Sequence, residues 1–342
     1  MKKSHLIVLR FSAFGDVAIM IPVLRVLFAT YPTVQLTVVT RAQFHPLFQE
    51  FSQVQLFSIH PKGKHQGIKG LWRLFLELKG LAPHGIVDLH GVLRTHILRL
   101  FFFFTRIPLR QIDKGRREKK QLTRSKNKVF KPLTPTIHRY VEVFRKMGYP
   151  IDLAQHTFPP RPLLPKTIDH QFSSSDEKWI GIAPFASFKG KQYPLDLMQQ
   201  VVAYLQRDHQ VFLFGAGNQE KKQLEIWEKA YPKAHCIAGE HSLAHELALI
   251  AHLDLMLSMD SANAHLATNF AVPVVTLWGI THPYAGFAPW GQPEENNLLS
   301  DREQYPQIPT AIYGNKLPKG YENVFRTLPP KIVIETILDR LN

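Results

Sequence analysis

The residues that could do chemistry sit in a few short stretches, each between an apolar run and a helical pattern. Asp260-Ser261-Ala262-Asn263-Ala264-His265 follows the run Leu255-Met256-Leu257. Asp260 or Ser261 is placed to cap a helix there, and the first N–H groups of that helix suit an anion such as phosphate. Pro184 to Tyr193 supplies Ser187 and Lys191, and Gly215-Ala216-Gly217 leads to Glu220. A cation, a hydroxyl donor and a helix N-terminus are what a diphosphate needs, and a carboxylate beside them suits a sugar hydroxyl. Near the start of the chain, Ser12, Ala13 and Gly15 let a turn run tight and leave Asp16 at its mouth. Asp16 could cap a helix or act as a general base, and position alone favours the cap. Asp88, His90 and Arg94 form a further polar loop after an apolar run.

Positioning these loops takes strands and helices in alternation. His5–Arg10, Val34–Val39, Val54–Ile59 and Gly85–Leu89 read as buried strands, with helices over Val17–Leu27 and Leu71–Leu78. Pro22 should kink or restart the first helix. Ile97 to Phe104 is strongly apolar, too short to span a bilayer, and reads as core. Pro159, Pro160, Pro162 and Pro165 mark an interdomain linker. Beyond it come strands at Trp179–Ala183, Val211–Phe214, His235–Ile237, Leu255–Ser258 and Val272–Gly279, with helices between them, then loops over 280–325 and a last helix over Pro330–Leu341. The reading is two Rossmann-like α/β domains, 1–165 and 166–328, followed by a C-terminal helix, 329–342, expected to pack on the first domain. Two such domains would set their strand-end loops face to face across a cleft. That arrangement suits an enzyme joining an anionic nucleotide donor to a separate acceptor.

Composition narrows the classes. The chain has 342 residues, 45% hydrophobic and 20% charged, as expected of a soluble globular protein, and no window resembles a membrane span. Met1–Leu9 briefly imitates a signal peptide, but Arg10 and Asp16 interrupt it and no cleavage site follows. A single cysteine, Cys236, excludes an intrachain disulfide and a cysteine-rich metal site, so a cytoplasmic location is expected. The net charge of +15 is uneven: residues 1–160 hold 26 Lys/Arg against 8 Asp/Glu, a net of +18, and the remainder is at −3. The basic half is suited to an anionic partner: phosphorylated lipid, membrane surface or nucleic acid. Residues 110–131, with ten Lys/Arg and two acids, read as an exposed, mobile loop.

No Gly-x4-Gly-Lys-Ser/Thr is present, which disfavours P-loop chemistry. No Asp-x-Asp is present either, so a carboxylate-held metal on a donor diphosphate has no obvious ligands. A nucleic-acid-binding or anionic-membrane-binding protein using the basic half without sugar transfer is the competing class, but basic residues without interleaved aromatics or a reading motif argue against nucleic acid.

Taken together, the motifs resemble the bacterial lipopolysaccharide heptosyltransferases, glycosyltransferase family 9. The resemblance rests on Arg10-x-Ser12-Ala13-x-Gly15-Asp16-Val17, Pro184-x-Ala186-Ser187-x-Lys189-x-Lys191-x-Tyr193-Pro194, Phe214-Gly215-x-Gly217-x-x-Glu220 and Asp260-Ser261-x-x-Ala264-His265-Leu266-Ala267, in order through nearly the whole chain. It implies a GT-B fold with the last helix crossing back to the first domain. It implies inverting, metal-independent transfer, without a cofactor, from a nucleotide-activated heptose to an anionic lipid-linked saccharide at the cytoplasmic face of the inner membrane, by a peripheral monomer that binds no nucleic acid. On the same resemblance Asp16 is the general base, Lys191 and Ser187 hold the diphosphate, and Glu220 binds ribose. Asp260 contacts the donor sugar, and the N–H groups of Ser261, Ala262, Asn263 and Ala264 receive phosphate beside His265. Ser12, His90 and Arg94, with Arg116, Arg117, Lys119 and Lys120 in the basic segment, are the acceptor-side candidates. Two positions depart from the pattern: Ala262 stands where the family often has Gly, and Ala186 where some members have a hydroxyl.

Overall fold

The apolar run Leu6–Leu9 has no exposed side chain, as a central parallel strand covered by helices on both faces requires. The computed structural model describes residues 4–166, 168 and 177–341, and it divides into two units. Met1–Lys3, the basic start of the signal-like stretch, lie outside the described residues. The first unit comprises Met1–Gly115 and Thr134–Thr157; the second comprises Arg116–Leu133 and Phe158–Asn342.

The first unit holds a sheet of β1 (Ser4–Leu9), β2 (Val34–Thr40), β3 (Val54–Ser58), β4 (Gly85–Asp88) and β5 (Leu109–Gln111), ordered β3-β2-β1-β4-β5 with every pair parallel. The second holds β6 (Trp179–Ala183), β7 (Gln210–Leu213), β8 (Ala234–Cys236), β9 (Leu255–Met259), β10 (Val274–Trp278) and β11 (Asn297–Leu299), ordered β11-β10-β9-β6-β7-β8, again all parallel. Both are doubly wound. Strand order reverses between β1 and β4 in one unit and between β6 and β9 in the other, and the carboxyl ends of strands at such switch points are where open α/β sheets bind ligands. The three-residue strands β5 and β11 were expected to be loop, because neither carries an alternating or apolar run long enough to read.

Helices follow their periodic apolar residues. Gly67–Gly80 buries Leu71, Leu74, Phe75 and Leu78, one stripe at helical spacing that packs with Leu98 and Phe102 of Leu93–Phe103. The first helix breaks at Ile19 into Phe14–Ala18 and Met20–Thr30. Pro22 has no N–H to give Ala18, and its ring crowds that carbonyl, so the chain restarts as expected.

One expectation changes. The basic segment is not a mobile loop of the first domain. Arg116–Thr123 is helical, and the segment packs in the second unit, where Leu122 and Leu133 join Ala285 in a small buried cluster. Lys128 Nζ donates to the carbonyls of Leu122, Gln307 and Pro309 at 2.7–2.9 Å, and Arg302 lies 3.5 Å from the Phe130 ring centre. Burial and the neighbouring Arg302 push the Lys128 ammonium down to about 8. A segment with so few apolar residues is hard to read as packed; here cations with specific acceptors do what a hydrophobic stripe does elsewhere. Pro330–Leu341 is helical, as expected. Its buried residues, Val333 and Ile337, lie in the core of the second unit.

Candidate active site

At the first switch point the loop after β1 carries Arg10 and Asp16, and the loop after β4 carries His90. Arg10 is buried; its Nη1 donates to the Leu89 carbonyl at 2.8 Å, and its Nη2 pairs with Asp16 Oδ2. One guanidinium thus spans the crevice between the two strand ends. Burial works against its charge, yet Tyr140, Asp16 and Asp88 outweigh that and hold it above its usual range. Asp16 occupies the first turn of Phe14–Ala18, and its Oδ2 also accepts the Ala13 N–H at 3.3 Å. The Tyr140 hydroxyl donates to the Asp16 carbonyl at 3.1 Å, which ties down the backbone. Ala13, not Asp16, is the N-cap; the Asp16 carboxylate reaches back to it from the first turn and still keeps 24% of its side-chain surface open.

Asp88 is fully buried and fully engaged. Its Oδ1 accepts the N–H groups of His90 and Gly91 at 2.9 and 3.0 Å, and its Oδ2 accepts Gln111 Nε2 at 2.5 Å. It shapes the loop. His90 stands beside it, edge-on to Phe11, with Nδ1 buried and without a protein partner. Burial, then Arg10, Lys114, Arg94 and Arg41, push its imidazole down to about 3, so it is neutral near pH 7. Ser12 is half-buried and Arg94 exposed in the same unit.

At the second switch point the loop after β6 carries Lys191 and the loop after β9 carries Asp260. Lys191 Nζ meets Asp260 Oδ2 at 2.9 Å, with 15% of the lysine side chain and 8% of the aspartate exposed. Local packing explains the placement. Tyr193 is buried, donates its hydroxyl to the Leu328 carbonyl at 2.6 Å and points its N–H at Met259 Sδ, 3.2 Å away. Gly190 donates no side chain because a Cβ there would meet Ile280 at 2.3 Å, while the Ile280 N–H reaches the Gly190 carbonyl at 3.0 Å. The aliphatic stem of Lys191 runs over Gly314, where a Cβ would come within 2.4 Å of it.

The remaining second-unit candidates divide. Ser261 precedes the helix Ala262–Thr268, but its Oγ faces Ser258 Oγ at 3.1 Å and makes no cap bond. Asp260 is taken by Lys191. The expected side-chain cap is thus absent. Ala262 has no left-handed backbone, so its Cβ meets no conformational penalty in place of glycine. Asn263 is half-buried, whereas Ala264 and His265 are buried. Glu220 folds back so that Oε2 accepts the Ala216 N–H at 2.7 Å, closing the glycine turn at the head of Gly217–Ala230. Gly217 needs its φ of +78°, and Gly215 lies within close reach of Glu220. Ser187 is exposed. In the basic helix, Arg116, Arg117 and Lys120 are exposed, but Lys119 is buried over the rings of Phe287 and Tyr313, at 4.6 and 5.7 Å. Sequence reasoning gave Arg10 and Tyr140 no role, although Arg10 stands in the same motif as Asp16.

Comparison with known families matches residues 72–313 to glycosyltransferase family 9 (heptosyltransferase). The chain belongs to glycosyltransferase family 9. Among curated members of the family, the chain is 25% identical to the lipopolysaccharide core heptosyltransferase OpsX of Haemophilus influenzae, over 98% of this chain and 95% of that one. Among solved structures it resembles the family 9 glycosyltransferase of Veillonella parvula, with a TM-score of 0.75 at 17% identity, covering 100% of this chain and 98% of that one. It also resembles the E. coli heptosyltransferase WaaC crystallised with ADP-2-deoxy-2-fluoro heptose, with a TM-score of 0.66 at 15% identity, covering 98% and 99%. The fold is that of the GT-B heptosyltransferases, two Rossmann-like units each with its own switch point. Among the described residues, no three His, Cys, Asp or Glu side chains converge as a metal ion would require.

Proposed function

We propose that this family 9 enzyme transfers a heptose from ADP-heptose to a lipid-linked acceptor of the lipopolysaccharide inner core, with inversion, without a metal, and with Asp16 as general base. The observation that carries the reading is the Arg10–Asp16 pair, which buries its cation and leaves its carboxylate open at a switch point. Asp16 would take the proton of the acceptor hydroxyl as its oxygen bonds to the anomeric carbon. The bond from that carbon to the diphosphate breaks, and ADP leaves with the electron pair. A carboxylate needs only hydrogen-bond reach for this role. Lys191, Ser187 and the first N–H groups of Ala262–Thr268 would offset charge on the leaving diphosphate, as cations and helix N-termini do at developing anions. Asp260 and His265 would face the donor sugar, and Glu220 the ribose. ADP-heptose is favoured because a heptosyltransferase of the same fold, WaaC, has been solved with an ADP-heptose analogue.

On the acceptor side, Ser12 and neutral His90 would hydrogen-bond saccharide hydroxyls, and Arg94 would meet acidic groups. Arg116, Arg117 and Lys120 supply further exposed positive charge. The enzyme would act as a monomer on the cytoplasmic face of the inner membrane. No helix among the described residues is long and apolar enough to cross a membrane. The test is release of ADP from ADP-heptose by the wild-type chain in the presence of the lipid-linked acceptor, with product stereochemistry read by NMR. Absence of acceptor-dependent ADP release, or retention at the anomeric carbon, overturns the reading.

A further inference from the structure

The apolar run at the end of Leu93–Phe103 was expected to be core. Half of it is. Leu98 and Phe102 are buried, but Leu100, Phe103 and Phe104 are 58%, 78% and 81% exposed. The neighbouring helix Gly67–Gly80 repeats the pattern: Leu71, Leu74, Phe75 and Leu78 face inward, while Ile68, Trp72 and Leu76 are 70%, 49% and 50% exposed. At about 100° per residue, Ile68, Trp72 and Leu76 fall within roughly 80° of helix surface, and Leu100, Phe103 and Phe104 within roughly 100°. The two helices pack side by side through Trp72, which meets Phe101 edge-on at 5.0 Å between ring centres. Their exposed stripes therefore flank one seam. Single exposed apolar residues need no explanation, but five on two adjoining helices and a sixth at the end of one do.

Cations lie along this seam. Lys69 and Arg73 follow Ile68 and Trp72 by one residue, Arg99 precedes Leu100, and Arg106 follows Phe104; all four are exposed. Residues 61–107 hold eight Lys/Arg against two acids. Asp88 is one of these acids and is buried; Glu77 is the other and is engaged by His65, Lys64 and, at 3.4 Å, Arg73. Aromatic and apolar side chains on one helix face with basic residues at its margin are the composition of a surface that lies in the headgroup region of an anionic bilayer. Tryptophan at the boundary and arginine or lysine with long apolar stems fit that depth. The helices, 14 and 11 residues long, are too short to span a bilayer.

We propose that the Ile68–Trp72–Leu76 and Leu100–Phe103–Phe104 stripes form a membrane-docking face of the first unit, which inserts into the headgroup layer of an anionic lipid surface. The proposal deepens the lipid-linked acceptor reading, but vesicle binding is measured without donor or acceptor, so either can fail alone. The experiment is flotation of the full chain with vesicles of phosphatidylcholine, and of phosphatidylcholine with about one third phosphatidylglycerol. The expected result is binding to the anionic vesicles that weakens with salt, and a loss of at least about ten-fold in partitioning for the Phe103→Ser/Phe104→Ser variant. Circular dichroism checks that the variant is folded, since neither side chain is in the core. Brominated lipid should quench Trp72 emission in the wild type, assigned as the part lost in Trp72→Phe. Partitioning of the double variant within two-fold of wild type overturns the proposal. So does a wild type that binds no vesicles and dimerises in light scattering through the same two phenylalanines.

Discussion

The two switch points are built alike and polarised oppositely. Each has an aspartate–cation pair: Arg10 and Asp16 in the first unit, Lys191 and Asp260 in the second. In the first, the cation is the buried member, at 5% against 24% for its acid; in the second, the acid is, at 8% against 15%. The member left open is the one a substrate can meet. An open carboxylate suits a hydroxyl proton, and an open ammonium suits a phosphate. The partner beneath it compensates charge and holds geometry, because an unpaired buried charge is expensive. On the proposed reading, burial of one partner would give the same pair of residue classes opposite tasks.

The largest expected effect breaks the first pair at its open end. Asp16→Asn should lower transfer by about 10²–10⁴-fold, the range of a general base, and leave ADP affinity in calorimetry within two-fold. A rate within a few-fold of wild type would remove the carboxylate from the chemistry. Breaking the same pair at its buried end should act on folding. Arg10→Met leaves Asp16 without its cation and the Leu89 carbonyl without a donor, and chemical denaturation should show a loss of about 3–5 kcal/mol. In the second unit the open member is the cation, so Lys191→Met should weaken ADP binding by about 10–100-fold, a charge-assisted bond of roughly 1.5–3 kcal/mol. Adding Asp260→Asn should restore part of the lost stability and none of the affinity. If the double variant binds ADP as wild type does, the lysine was only structural. Gly314→Ala is subtler: it forces a Cβ against the Lys191 stem at a φ of +79° and should cost a few-fold in ADP affinity.

Acid sensitivity separates the units least. His282, in the second unit, is pushed down to about 4 by burial and then Arg302, from an ordinary 6.5. Its folded value lies below its unfolded one, so the stability it contributes is present above about pH 6.5 and is lost as pH falls toward 4. His282→Asn keeps an acceptor for the Tyr284 N–H, at 3.1 Å from His282 Nδ1, and removes the proton. Between about pH 6 and 4.5 the slope of stability against pH should flatten, by no more than about 1.4 kcal/mol per pH unit. An unchanged slope would mean His282 is solvated.

The motif loops and the longer strands were legible because each sits on a strong local signal. Leu255–Met259 is a buried strand with one serine, and Asp260 follows it; Gly217 takes a φ of +78° that only glycine adopts easily. The pairing of Lys191 with Asp260 was not legible. It depends on β6 and β9 lying side by side, which is set by sheet order and not by spacing along the chain. Arg10 was quoted in a motif without a role, for the same reason: its acceptor, the Leu89 carbonyl, comes from the neighbouring strand end. The exposed ends of Leu93–Phe103 misled because phenylalanine carries the same signal whether it fills a core or covers one.

The segment Arg116–Leu133 has a consequence for how this protein could be cut or recombined. It is flanked on both sides by first-unit sequence, yet its buried leucines and its lysine staple belong to the second unit. A fragment beginning at the proline-rich stretch would lack Leu122, Lys128, Phe130 and Leu133, leaving Ala285 and the Gln307 and Pro309 carbonyls uncovered. A chimera joined at the same place would set one enzyme's insert against another enzyme's loops. The two halves are therefore not interchangeable cassettes: to exchange the second unit between relatives, the inserted eighteen residues (Arg116–Leu133) must travel with it.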